Sequence, residues 1–308
     1  MGKFKLFDMN REGKGVSKDE KPLKPTFFNL PKFYFRRFTK VLNLNFVMLP
    51  IWIIPLVLAY LYTVADSMAT QTDVVYSTLY GIHLINPSPG TASLVGVFGT
   101  QLPLQTYGPG RIWVSIGLVV LLAAVWGWIN LGATYCARGM FRGDPVFIWS
   151  DFKYAISRNL WQGLFVGIID FAVLGILGYD LFYFSQRGGT FWLDFFFFGI
   201  CGALAIYLFM RFYIYLMLVT FDIKTGKLIK NSLIFSILGI KRNLIGAFWI
   251  VVIILLNALL VLLFWNIQVV VPLILPMIYL LPTITLFKVY SAYPVIEEYM
   301  IKGKQKKE

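Results

Sequence analysis

Six apolar runs decide what this chain can fold into: residues 42–64, 112–136, 160–179, 192–220, 244–265 and 269–287. Each is near the roughly 20 residues that a helix needs to cross a bilayer. A chain in lipid must satisfy its own backbone polar groups, which an α-helix does within one segment. The pattern therefore predicts an all-α polytopic membrane protein of about six transmembrane helices. Composition agrees: 58% of the 308 residues are hydrophobic and 14% charged, where a soluble domain carries about 25% charge. An ordinary soluble enzyme, a disordered tail protein and a secreted disulfide scaffold are excluded on that ground. Pro50 and Pro55 in the first run predict a kink. Pro272, Pro276 and Pro282 in the sixth either bend that helix or break it and bare its carbonyls.

The net charge of +13, from 28 Lys+Arg against 15 Asp+Glu, has a strongly uneven placement. Eleven basic residues precede residue 42, four lie in 137–159, five in 221–243 and five in 288–308. The alternate connections hold only Arg111 and Arg187, and Arg211 falls inside the fourth run. Cytoplasmic loops accumulate Lys and Arg, so both termini are expected in the cytoplasm of a cell-membrane protein. The +13 then requires no nucleic acid. Trp113, Trp161, Trp192 and Trp265 stand at run ends, as an aromatic belt would. Three segments follow: a basic tail with an interfacial helix (1–41), a six-helix membrane domain (42–290) and a basic cytoplasmic tail (291–308). The interfacial helix is read from 26–41, where aromatics mix with Lys32, Arg36, Arg37 and Lys40. No cleavable signal peptide is expected, because the first apolar run begins too late, and Leu6 spoils a myristoylation motif at Gly2.

The two basic connections resemble each other. RGDPVFIWSDFKYAISRNL and TGKLIKNSLIFSILGIKRNL bring Arg158-Asn159-Leu160 onto Arg242-Asn243-Leu244 at an offset of 84 residues. The same offset lays the second and third runs over the fourth and fifth, a parallel repeat of helix, short elbow helix, helix. In the first elbow, Asp144 is expected to N-cap and Pro145 to open the helix. Ile148, Trp149, Phe152, Ala155 and Ile156 follow helical spacing, with Lys153 and Arg158 on other faces. An amphipathic cytoplasmic elbow results. It either fixes hairpin geometry or docks a partner through Asp144, Trp149, Phe152, Lys153 and Arg158.

Few residues could carry chemistry. Asp170 and Arg211 each lie about nine or ten residues inside their runs, so roughly 13–15 Å deep at 1.5 Å per residue. A charge there costs about 2.5–3.5 kcal/mol on insertion scales and usually pairs or lines a polar cavity. An Asp170–Arg211 ion pair is expected. It either fixes helix register or marks a substrate or proton path; alternatively Arg211 snorkels outward. Asn130 and Asn257 are candidates for the same polar path. Gly163 and Gly167 permit close helix approach. Cys136 and Cys201 sit in apolar runs and read as packing residues, and His83 stands alone in an outer loop. No catalytic set, no metal-ligand spacing and no cofactor motif is found, so neither enzyme activity nor a cofactor is expected.

Three stretches carry a resemblance: LNLNFVMLP (Leu42 to Pro50), YGPGR (Tyr107 to Arg111) and RGDPVFIWSDFKYAISRNLWQGLFVGII (Arg142 to Ile169). In these the chain resembles the YesL family of bacterial membrane proteins over about residues 27–290. It departs from the family in its longer charged amino-terminal tail and its 65–111 outer loop. The resemblance implies a Gram-positive protein associated with carbohydrate ABC importers, with permease subunits as partners and an accessory role in sugar uptake. The Glu-Ala-Ala cytoplasmic loop of importer permeases is absent, so the chain is not expected to be the permease. An independent small-solute transporter or channel, with a path near Asp170 and Arg211, is the alternative.

Overall fold

The computed structural model describes residues 25–68, 81–100, 109–187, 189–264 and 271–302. Its helices are α1 (Asn29–Met48), α2 (Ile53–Met68), α3 (Pro89–Thr100), α4 (Pro109–Arg142), α5 (Ile148–Arg158), α6 (Leu160–Ser185), α7 (Phe191–Thr220), α8 (Thr225–Leu238), α9 (Ile240–Phe264) and α10 (Val271–Ile296). A 3-10 turn, Leu49–Trp52, joins α1 to α2, and a π turn, Glu297–Lys302, follows α10. No strand occurs among the described residues. Six helical stretches are long and apolar enough to cross a membrane: Asn29–Tyr62, Gly110–Arg142, Leu160–Ser185, Phe191–Thr220, Ile240–Phe264 and Ile274–Lys302. The chain is a multi-pass helical membrane protein.

Two boundaries differ from those read in the sequence. Residues 29–41 are not a separate interfacial helix; α1 runs straight through residue 41. Leu30, Phe33, Tyr34, Val41, Leu44, Asn45 and Met48 recur at helical spacing and are all buried. Phe33 packs at a tilt against Tyr290 of α10, and Tyr34 packs edge-on against Phe287, at 5.3 and 5.5 Å between centroids. The basic residues between them hide this stripe from a hydropathy window. Pro50 sits in the 3-10 turn and Pro55 in the first turn of α2, where its missing N–H leaves no bond unmade.

The sixth helix is likewise longer than its apolar run. It passes Lys288 and ends at Ile296, so the tail expected at 291–308 begins inside it. Pro276, Pro282 and Pro294 all lie within one continuous helix, so the sixth run is not divided into two helices. Asn45 Nδ2 donates to the Met277 carbonyl at 2.8 Å, tying α1 to the proline-rich stretch.

The repeat is present as an order of elements, α4–α5–α6 and α7–α8–α9. Its shared tripeptide is out of register. Asn159 lies in the joint between α5 and α6, whereas Asn243 lies inside α9, which begins at Ile240. The expected cap also moves. Gly143, at φ +82°, closes α4 in the left-handed region, and the Asp144 N–H donates to the Gly139 carbonyl at 3.0 Å. Asp144 and Pro145 therefore end α4 and do not open α5. The start of α5 is held instead by Asp151, whose Oδ2 accepts the Phe147 N–H at 2.8 Å.

Both elbows and the first described residues gather at one end of the bundle. Arg242, Tyr290 and Trp249 donate to the carbonyls of Pro25, Thr26 and Phe27 at 2.8, 2.9 and 3.2 Å. Gln162 Nε2, near the start of α6, donates to the Ile223 carbonyl between α7 and α8 at 2.8 Å. Arg138 Nη1 donates to the Val219 carbonyl at 2.7 Å, placing a cation on the last turn of α7. The tightest packing lies in this elbow half: Tyr213, Leu216 and Met217 of α7 and Leu286 and Ile296 of α10 are almost fully buried. Towards the other end, Val120, Phe198 and Leu262 face outward, as lipid contact allows.

Candidate functional site: a buried carboxylate at a helix crossing

Small residues create the site. A Cβ on Gly127 of α4 would stand 2.7 Å from Gly167 Cα and would strike the Gly163 carbonyl of α6. The two helices thus cross with their backbones nearly touching. Gly163 and Gly167 are the pair singled out in the sequence, and Gly127 is the partner that the sequence did not reveal.

This crossing brings the next residue, Trp126, within reach of Asp170, one turn beyond Gly167. Trp126 Nε1–H donates to Asp170 Oδ2 at 2.9 Å. From α7, the Tyr215 hydroxyl donates to Oδ2 and the Tyr207 hydroxyl to Oδ1, both at 2.8 Å. Arg211 lies one turn from each tyrosine, and its Nε is 2.8 Å from Oδ1. That N–H is not aligned on the oxygen, so the contact is a charge pair and not a directed hydrogen bond. Asp170 is 1% exposed and Arg211 10% at the side chain. Each carboxylate oxygen meets two partners. Hydrogen bonds to a charged group contribute roughly 1.5–3 kcal/mol each, enough together to offset the cost of an intramembrane carboxylate. The expected pair exists, within a set of donors from α4 and α7 that binds three helices.

A third ionisable group stands at similar depth: Lys288 of α10, partly buried and eight residues from the elbow end of its helix. It makes no hydrogen bond or ion pair among the described residues. Sequence reading missed it because the apolar run seemed to end at residue 287. Trp126, Tyr207 and Tyr215 were missed because aromatics at helical spacing look like packing or lipid contact. Their one available signal was spacing: Tyr207, Arg211 and Tyr215 recur every four residues, hence on one helix face.

The other candidates do not join this cluster. Asn130 Nδ2 folds back to the Trp126 carbonyl of its own helix at 2.8 Å. Asn257 Nδ2 donates to the Ile253 carbonyl at 2.8 Å and to the Tyr279 hydroxyl at 2.5 Å, linking α9 to α10. His83 Nδ1 lies 3.0 Å from the Thr91 hydroxyl. A cavity of about 100 Å³ opens beside Asp170 and Tyr207, walled by apolar side chains including Val166, Ile169, Met210 and Ile229. Among the described residues no three His, Cys, Asp or Glu side chains gather as a metal site.

The elbow α5 divides its candidate residues. Phe152 is buried, its ring 2.6 Å from where a Gly132 Cβ would stand, so it anchors α5 to α4. Trp149 points outward with Lys153 Nζ 4.4 Å from its ring centroid, and Arg158 is exposed. Asp144 pairs with Arg142 at 3.4 Å. No family model matches the chain, and no curated protein or solved structure matches it significantly.

Proposed function

We propose that this membrane protein is an accessory or assembly subunit rather than an enzyme, and that its YesL-like stretches assign it to a carbohydrate ABC importer as the complex it serves. The supporting observation is the closed state of its intramembrane carboxylate. Asp170 is fully occupied by Trp126, Tyr207, Tyr215 and Arg211, which are groups of the bundle itself. A carboxylate so placed joins helices and leaves no oxygen for a reacting group. The elbow offers the contrasting surface: Trp149, Lys153 and Arg158 face away from the core at the end where the basic loops gather. Under the positive-inside rule that end is cytoplasmic, which would aim the elbow at the cytoplasmic parts of a permease.

The test is co-purification from native membranes in mild detergent. Recovery of a permease pair with the wild-type chain, lost in a Trp149→Ala/Lys153→Glu variant that still folds, supports the reading. Recovery of the chain alone from cells expressing the importer counts against it.

One observation favours a second reading, an independent small-solute transporter: Lys288 of α10 adds an ionisable amine at the depth of the Asp170–Arg211 pair. Uptake into liposomes by the purified chain, abolished by Asp170→Asn, would replace the accessory reading.

A further inference from the structure

We infer that the second elbow, α8, is set into the membrane leaflet at the elbow end of the bundle and forms a binding surface for anionic lipid. Leu233, Ile234, Ile237 and Leu238 lie among the acyl chains, and Lys227 and Lys230 meet the headgroup phosphates. The outward face of α8 has the wrong polarity for water. Those four aliphatic side chains are between 42% and 62% exposed, whereas Ser232 and Ser236 are buried with Leu228 and Phe235. A helix lying in water places its serines outside and its leucines inside. The orientation is fixed from α7 and α9. Phe235 stacks on Tyr213 of α7 at 5.9 Å, and a Cβ on Gly239 would strike the Tyr213 hydroxyl. Asn243 of α9 accepts from that hydroxyl and donates to the Ser236 carbonyl. The buried serine hydroxyls donate to the Leu228 and Leu233 carbonyls of their own helix, at 2.8 and 2.7 Å.

Two further observations identify what covers this face. It is continuous with the outward side of a membrane span: beyond the joint at Gly239 the exposed row runs on through Ile240, Leu244 and Phe248 of α9. Its charge also has one sign. Lys224, Lys227 and Lys230 are exposed at the start of α8, Lys241 is exposed just past the joint, and Asp222 is the only acidic residue between 221 and 248. An aliphatic face bordered by lysines is the pattern of a helix seated where acyl chains meet the headgroups of an anionic leaflet. The first elbow differs, since the large apolar residues that α5 exposes are the aromatics Trp149 and Tyr154. The two halves of the repeat thus present different surfaces. The lipid surface does not depend on the importer assignment; either functional reading could fail with it intact.

The test places the full chain in nanodiscs of phosphatidylcholine and phosphatidylglycerol. Cys201→Ala removes the half-buried thiol, Cys136 being fully buried, and a nitroxide is attached at Ile237→Cys or, separately, at Leu233→Cys. Val251→Cys, outward on α9, supplies the reference within a span. Electron paramagnetic resonance should show the α8 labels relaxed more by oxygen than by a water-soluble nickel chelate, as at Val251. Stronger relaxation by the chelate would place the face in water, and protection from both would place it against a second copy or a partner protein; either result overturns the inference. The headgroup half is read with spin-labelled lipids. Association of the phosphatidylglycerol probe should exceed that of the phosphatidylcholine probe, and should fall about fivefold for each lysine lost in Lys227→Gln and Lys230→Gln. No preference for phosphatidylglycerol, or one that both lysine variants leave unchanged, also overturns it.

Discussion

The indole N–H of Trp126 reaches the Asp170 carboxylate at 2.9 Å across a crossing where Gly127 lies against Gly167. The two features depend on each other. Any side chain at Gly127 would push α4 from α6 and stretch this hydrogen bond. Backbone proximity and a buried charge are thus a single arrangement, with α7 adding Tyr207, Arg211 and Tyr215 from one face.

The crossing should be intolerant of a single methyl group. Gly127→Ala would place a Cβ against backbone, which cannot rotate away, so the loss should reach or exceed the roughly 1–3 kcal/mol typical of overpacking. Gly175→Ala, with open space at its Cβ, should be neutral or slightly stabilising. Unfolding of both variants in the same detergent compares them.

The tyrosines should matter through their hydroxyls. Tyr207→Phe and Tyr215→Phe each remove one donor from Asp170 and should each cost about 1–3 kcal/mol. Tyr179→Phe, on an outward ring of α6, should change stability by less than about 0.5 kcal/mol. Parallel unfolding curves decide this.

The elbow should separate stability from association. Phe152→Ala removes the ring that fills the space over Gly132 and should cost about 3–5 kcal/mol. Trp149→Ala, 61% exposed, should leave unfolding within about 0.5 kcal/mol of wild type while weakening partner recovery. Unfolding and pull-down on the same preparations measure both.

Asn243 should behave as a bracket. It is fully buried, accepts from the Tyr213 hydroxyl at 2.8 Å and donates to the Ser236 carbonyl at 2.9 Å. Asn243→Leu orphans both partners and should cost about 1–3 kcal/mol for each. Asn159, which makes no such bracket, should tolerate Leu with a smaller loss, and unfolding midpoints of the two variants test the difference.

The six spans and the Asp170–Arg211 pair were legible in the sequence because hydropathy and depth are one-dimensional quantities. A charge nine or ten residues inside an apolar run needs a partner wherever the helices lie. What hydropathy could not reveal was set by neighbours distant in sequence. Residues 29–41 look interfacial until α10 covers Phe33 and Tyr34. Lys288 looks like the start of a tail because one lysine ends an apolar window, yet α10 continues to Ile296. Asp144 has the chemistry of a cap, and Gly143 turns that residue to the end of the preceding helix. The match of Asn159 to Asn243 kept residue identity and lost register, since one lies in a joint and the other inside a helix.

The central claim is that Asp170 and Arg211 stabilise the bundle together. A double-mutant cycle of Asp170→Asn, Arg211→Met and their combination, read by unfolding in detergent, measures that directly. Either single change strands a buried charge and should cost about 3–5 kcal/mol, and the double variant should lose less than the sum by more than about 1 kcal/mol. Losses that add to within about 0.5 kcal/mol would contradict the account and leave the two charges as independent neighbours.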